Sequence, residues 1–451
     1  MSRVGWKSHA AYMLFLCIAL AMAVLSACDD STAADADEPT ASLQKSSSSK
    51  AKSSSSKEKY PETFKPNDKE YPYANIPRIV IYTENQQKIK DRETEIPAKL
   101  QIWGKKEAES EILDLTIRGR GNSSWEMPKK SYKIEFAKKQ TMLGMPKDKD
   151  WALIANYADK TLMKNYLMYH LSADLGAYYA PRCEFAELYL NGEYLGVYLL
   201  TETIKIGKNR VNIPKDNESY IVEFDDKYQK NEQVIFSNVL EKNGAGTPFR
   251  IHEPKNASDS TLLIIQNQIR KFEKFIRDIR SGQQNNVEQW IDVDEYLNHY
   301  WAQEFSKNPD APFYTSVYFS WTKNGSLRMG PVWDFDLAFG GHFKDYLIYP
   351  QDWYIIDSYW NKYIFQDSLI SQTRFSYWNK NKKHFLSILD NSDSVFVLLE
   401  KAAKNNFKKW NILKNTNYKY HRVAYNNYRE SVDDLKLWVR QRIEWIDSHL
   451  K

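Results

Sequence analysis

Two aspartates stand two residues apart in Trp333-Asp334-Phe335-Asp336, between Gly330-Pro331 and Gly340-Gly341. Carboxylates set among bulky apolar side chains need a cation or a hydrogen-bond network to offset their desolvation. In a turn, Asp334 and Asp336 can converge on one hard, oxygen-seeking cation. Asp310 lies 24 positions before Asp334, in an expected loop between a helix and a strand pair. A lone carboxylate so placed suits taking or orienting the proton of a hydroxyl. A second constellation is Arg118-Gly119-Arg120-Gly121-Asn122-Ser123-Ser124-Trp125. Its glycines let backbone N–H groups approach an anion, and its arginines add charge-assisted donors. No Gly-Lys-Ser/Thr follows, so this is not the familiar phosphate loop of nucleotide-binding helices.

Lys129, Lys130 and Lys133 come next. A lysine on the strand after an anion-holding loop can neutralise phosphate. Lys130 and Lys133 are the expected contacts, although three positions along a regular strand put them on opposite faces. Glu202 closes a hairpin as a further candidate, while Glu223 and Asp225, ending another strand, read as surface carboxylates. No Ser/His/Asp order, Gly-x-Ser-x-Gly, His-Glu-x-x-His or Cys-x-x-Cys is present, which removes the usual hydrolase and zinc signatures.

The elements that must position these residues are legible as a β-rich part followed by a helix-rich part. Strands are expected at 78–83, 100–103, 113–118 and 131–136, the last alternating Tyr132, Ile134 and Phe136 with polar residues. Asp159 caps an expected helix at 161–175. Asn191-Gly192 between 184–190 and 194–200 is a strong signal for a tight hairpin, and 219–224 is a further strand. Helices are expected at 258–280, 293–305 and 435–450, and short strands at 316–321 and 326–329 around Asn324-Gly325. A ligand cleft is expected between the two parts.

Composition bounds the partners. The chain has 451 residues, 42% hydrophobic and 27% charged, enough for a large core. Its net charge of +5 is too weak a bias to argue for a nucleic-acid partner. Residues 1–27 read as a signal peptide, with Arg3 and Lys7 before an apolar run that ends in Leu25-Ser26-Ala27-Cys28. That ending resembles a bacterial lipobox, which makes Cys28 the expected site of lipidation and the cell envelope the expected location, with the membrane reached through the lipid. Residues 28–59, with Ser46–Ser49 and Ser53–Ser56 broken by lysines, read as a flexible tether. The body divides into an expected β-rich lobe, 60–225, carrying a nucleotide cradle, and a helical lobe, 226–451.

Taken in order, the 118–125 loop, Lys129-Lys130-Ser131-Tyr132-Lys133, residues 159–165, the 194–202 strand and, above all, Gly330-Pro331-Val332-Trp333-Asp334-Phe335-Asp336 resemble the CotH family of atypical kinases of secreted proteins, named for bacterial spore-coat proteins. The likeness runs from about residue 78 to Arg442-Ile443-Glu444-Trp445-Ile446-Asp447. It implies an α+β, divergent protein-kinase-like fold of two lobes. It also implies ATP with Mg2+ or Mn2+, and phosphoryl transfer to Ser or Thr of secreted or surface proteins. By residue, it implies Asp310 as catalytic base and Asp334 as metal ligand, with Asp336 helping. Arg118, Arg120, Gly121, Asn122, Lys130, Lys133 and Glu202 are the matching nucleotide-side candidates. Family members often carry an Asn five or six residues after the catalytic Asp. Here those positions are Thr315 and Ser316, weaker ligands for a second metal. The competing expectation is a weakly active or inactive surface protein serving adhesion or assembly.

Overall fold

In a computed structural model, residues 59–242 and 245–450 are described. The signal peptide, Cys28 and nearly all of the Ser/Lys-rich stretch lie outside the described residues. In chain order the strands are β1 (Arg78–Thr83), β2 (Ile96–Trp103), β3 (Leu113–Arg120), β4 (Ser131–Met142), β5 (Met145–Ile154), β6 (Cys183–Leu190), β7 (Glu193–Glu202), β8 (Tyr220–Phe224), β9 (Val234–Lys242), β10 (Ala245–Glu253), β11 (Val317–Trp321) and β12 (Arg328–Met329). The helices are α1 (Lys164–Asp174), α2 (Asp259–Arg277), α3 (Val293–Ser306), α4 (Asp345–Ile348), α5 (Tyr359–Ile364), α6 (Ser368–Lys409) and α7 (Tyr428–His449).

The first seven strands close on themselves in the order β1-β2-β3-β4-β5-β7-β6. All pairs are antiparallel except β1 with β6, whose parallel register, Arg78↔Glu187 to Ile81↔Leu190, seals the barrel. Alternation fills its interior: Ile79 and Ile81, Leu115 and Ile117, Ile134 and Phe136, Trp151 and Leu153 all point inward and are buried. Each such side chain contributes about 1.5–3 kcal/mol of burial. At Asn191-Gly192 both residues have positive φ, 52° and 81°, as the tight primed turn between β6 and β7 requires.

The remaining strands form a second sheet, β12-β11-β8-β10-β9. Amphipathic α2 covers it through Ile265, Ile269, Phe272 and Ile276, spaced to lie on one helical stripe. A third core gathers α1, α3, α6 and α7 around Trp301, Phe305, Trp378 and Phe385.

The observed α+β architecture has a β-rich first part and a helical C-terminal part. The closed barrel is not clearly kinase-like. The division at residue 225 also runs beside a strand whose partners follow it: β8 pairs with β10 and β11, so residues after 225 supply four strands of the second sheet. The β5, β9 and β10 strands were not expected, because charges in Lys147-Asp148-Lys149-Asp150 and glycines near 244–246 mask their alternation.

Candidate functional site

A cleft of about 610 Å³ opens where the β3–β4 loop, the end of β8, the loop after α3 and the 333–337 turn meet. On the loop side, Gly119 donates its N–H to Asp91 O at 3.0 Å. A Cβ there would stand 2.4 Å from the Trp125 ring and 2.6 Å from Asp91 O, so only glycine fits. Arg118 Nη1 donates to Arg92 O at 2.5 Å, and Arg92 Nη1 donates to Gly121 O at 2.9 Å and Asn122 Oδ1 at 2.8 Å. Arg92, unforeseen in the sequence, therefore ties the loop into shape. Arg120 reaches furthest in. Its guanidinium lies 5.2 Å from the Trp333 ring centre. Burial pulls its pKa down, and the charge of Asp334 opposes that pull.

The carboxylate turn is held from several elements. Asn165 of α1 accepts from Phe335 N at 2.7 Å, and Asn308 Nδ2 donates to Asp334 O at 3.1 Å. Tyr169 stacks on Trp333 at 5.6 Å. Asp334 itself sits at φ 62°, the left-handed region that a non-glycine residue occupies only when its surroundings enforce it. Asp334 and Asp336 lie close enough for their charges to act on one another. Their surfaces are partly open to the cleft but otherwise ringed by protein, and burial pushes both pKa values up; Asp334 further raises that of Asp336. Asp310 rises to about 7, first through burial and then through the charge of Asp334, against Lys227. The structure thus brings Asp310, Asp334 and Asp336 together, as their joining through β11 and β12 implied.

Among the described residues, no group of three His, Cys, Asp or Glu side chains forms a ready-made metal cage. Magnesium does not need one, since it commonly takes one or two carboxylates and completes its shell with phosphate oxygens and water. Two neighbouring buried carboxylates cannot both carry charge cheaply, and a divalent cation between them would remove that conflict. The oxygen donors of Asp334 and Asp336 fit a hard cation on these grounds.

Three expected contacts fall elsewhere. Lys130 donates to Trp125 O and lies 5.2 Å from that ring, turned from the cavity lining. Lys133, on the opposite side of β4 from inward Ile134, pairs with Asp150 at 2.9 Å and Glu135 at 3.0 Å. Glu202 is fully buried with Arg210 at 2.5 Å, Arg182 at 2.8 Å and Tyr179 Oη at 3.0 Å, an ion-pair cluster outside the cleft. Of the three neighbouring lysines, the one that lines the cavity is Lys129, which lies two positions before β4 and escapes its alternation.

Glu223 and Asp225 are not surface carboxylates. Both are buried, and Arg250 of β10 bridges them, pairing with Asp225 at 3.2 Å, with Glu223 and with Glu232 at 2.9 Å. Their spacing at the end of β8 was a signal of a shared face. Their partner came from a strand that the sequence pattern hid.

The family model for the CotH kinase protein matches residues 117–446. The chain belongs to the CotH kinase family. Among curated proteins it is 26% identical over 251 residues to inner spore coat protein H of Bacillus subtilis (strain 168), a match covering 54% of this chain and 62% of that relative. The chain thus spans less than two thirds of the length of the relative it matches.

Proposed function

We propose that this protein is an ATP-dependent kinase of divergent, two-lobed kinase-like architecture that phosphorylates Ser or Thr hydroxyls of secreted or surface proteins. The observation that carries this reading is the meeting of the Arg118–Asn122 loop with Asp310, Asp334 and Asp336 in one cleft. Asp334 and Asp336 would hold Mg2+ or Mn2+, which when bound neutralises phosphate charge and fixes the phosphate chain. Arg120, Lys129 and Lys227 add positive charge around the same space. Asp310 accepts the proton of the acceptor hydroxyl as its oxygen bonds the γ-phosphorus and the bond to the β–γ bridging oxygen breaks, releasing ADP. The body would be tethered at the bacterial cell envelope through lipid on Cys28.

A second reading, a weakly active or inactive surface or assembly protein, is favoured by one observation. The Thr315 hydroxyl and the Ser316 N–H are committed to Asp225 and Glu223. The purified protein incubated with γ-labelled ATP, Mg2+ and a panel of secreted proteins separates the two. Label on Ser or Thr supports the kinase, and ATP binding without transfer supports the second reading.

A further inference from the structure

The 42-residue helix α6 begins at an Asp367 cap and ends against the barrel. Its last turns grip the β6–β7 hairpin. Asn405 Nδ2 donates to Glu187 Oε1 at 3.0 Å, Lys409 pairs with Glu193 at 2.6 Å, and Trp410 Nε1 donates to Leu195 O at 2.9 Å. Asn406, 1% exposed, goes deepest. Its Oδ1 accepts from Val197 N at 3.1 Å and from Lys129 Nζ at 3.0 Å. Gly196, at φ 96°, makes room for it; a Cβ there would stand 2.4 Å from Asn406 Oδ1.

Lys129 is itself 2% exposed, yet it is among the residues that line the cleft. Its ammonium donates to Val197 O and Asn406 Oδ1 and lies 4.6 Å from the centre of the Tyr198 ring. Both hydrogen-bond acceptors are neutral. Two of the three N–H bonds of an ammonium are thereby used. Burial pushes its pKa well down, as expected for a buried cation without a countercharge.

We infer that Asn406 is a positioning residue for Lys129, through which the end of α6 sets how tightly the cleft holds a phosphate chain. This rests on the proposed reading of the cleft as a nucleotide site. The amide is suited to the task where a carboxylate is not. Aspartate at 406 would still accept from Val197 N and Lys129 Nζ, but its charge would cancel the one the phosphate must meet.

The test is a double-mutant cycle on the full chain, with ATP and inorganic tripolyphosphate as probes and urea unfolding as the control for folding. Asn406→Asp is expected to weaken binding of both about 10-fold, and Lys129→Met at least as much. In the Lys129→Met background Asn406→Asp should add almost nothing, because its effect passes through the lysine. Asn406→Ser, which shortens the acceptor without adding charge, gives an independent arm and should show the same dependence on Lys129. Equal losses in both backgrounds would overturn the inference while leaving the nucleotide site in place. The expected coupling with no phosphoryl transfer would support the inference and count against the kinase. Binding of neither probe to the wild type would overturn both.

Discussion

The Thr315 hydroxyl donates to Asp225 Oδ1 at 2.9 Å, fastening the loop that carries Asp310 to the end of β8. Two further bonds act in parallel: Ser316 N donates to Glu223 Oε1 at 3.1 Å, and Asp226 N to Tyr314 O at 2.8 Å. Thr315 and Ser316, at the positions where the resemblance led one to expect an Asn, thus fix the loop that carries Asp310 to the second sheet. Thr315→Val keeps the shape but removes the donor, and should cost about 1–3 kcal/mol in urea unfolding. Because the bond holds Asp310 and touches no phosphate group, kcat should fall several-fold with little change in KM for ATP. A raised KM at unchanged kcat would contradict this assignment.

Glu202 gives the opposite expectation. Removing it by Glu202→Ala strands buried Arg210 and leaves Arg182 and Tyr179 without their shared acceptor. Breaking such a buried pair costs about 3–5 kcal/mol, read as a lower urea midpoint. ATP affinity at a temperature where the variant is folded should stay within about twofold of wild type, because the cluster lies outside the cleft. The same null effect on affinity is expected for Lys133→Met.

Three carboxylates with raised pKa values make stability depend on pH in a definite direction. Unfolded aspartate titrates near 3.9, whereas folded Asp310 titrates at about 7 and Asp334 and Asp336 are also shifted up. Between about pH 4 and pH 7 the folded protein therefore binds more protons than the unfolded chain, and stability from this cluster falls as pH rises. In metal-free protein, the stability of wild type relative to Asp310→Asn should decline across that window. Added Mg2+ should raise the thermal midpoint more at pH 7.5 than at pH 5. A difference that grows with pH in the absence of metal would refute the shifts.

Much of the site was legible because its parts are local. Glycines and arginines in residues 118–125 announce a loop able to meet an anion, and Asp334 and Asp336 fall within four residues. The hydrophobic alternation of 131–136 and the Asn191-Gly192 turn likewise need only nearest neighbours, and they located β4 and the β6–β7 hairpin. What stayed hidden depends on distant partners. Lys129 could not be told from Lys130 and Lys133, because its role is set by Asn406, 277 positions away. Glu223 and Asp225 read as exposed until β10 brought Arg250 opposite Glu223 in register. Glu202 looked available to the nucleotide site because Arg210, which neutralises it, follows β7 in an irregular stretch. Barrel closure through β1 and β6 is equally a long-range pairing with no local mark.

The most direct measurement compares ATP binding and phosphoryl transfer in the wild type, Asp334→Ala and Asp310→Ala. In the proposed mechanism Asp334 belongs to the turn that holds the cation, whereas Asp310 acts on the acceptor hydroxyl and not on ATP. Asp334→Ala should lose Mg2+-dependent ATP binding and transfer together. Asp310→Ala should retain ATP binding within a few-fold while transfer falls at least about 100-fold, the scale of a lost general base. Phosphoryl transfer undiminished in both variants would contradict these roles.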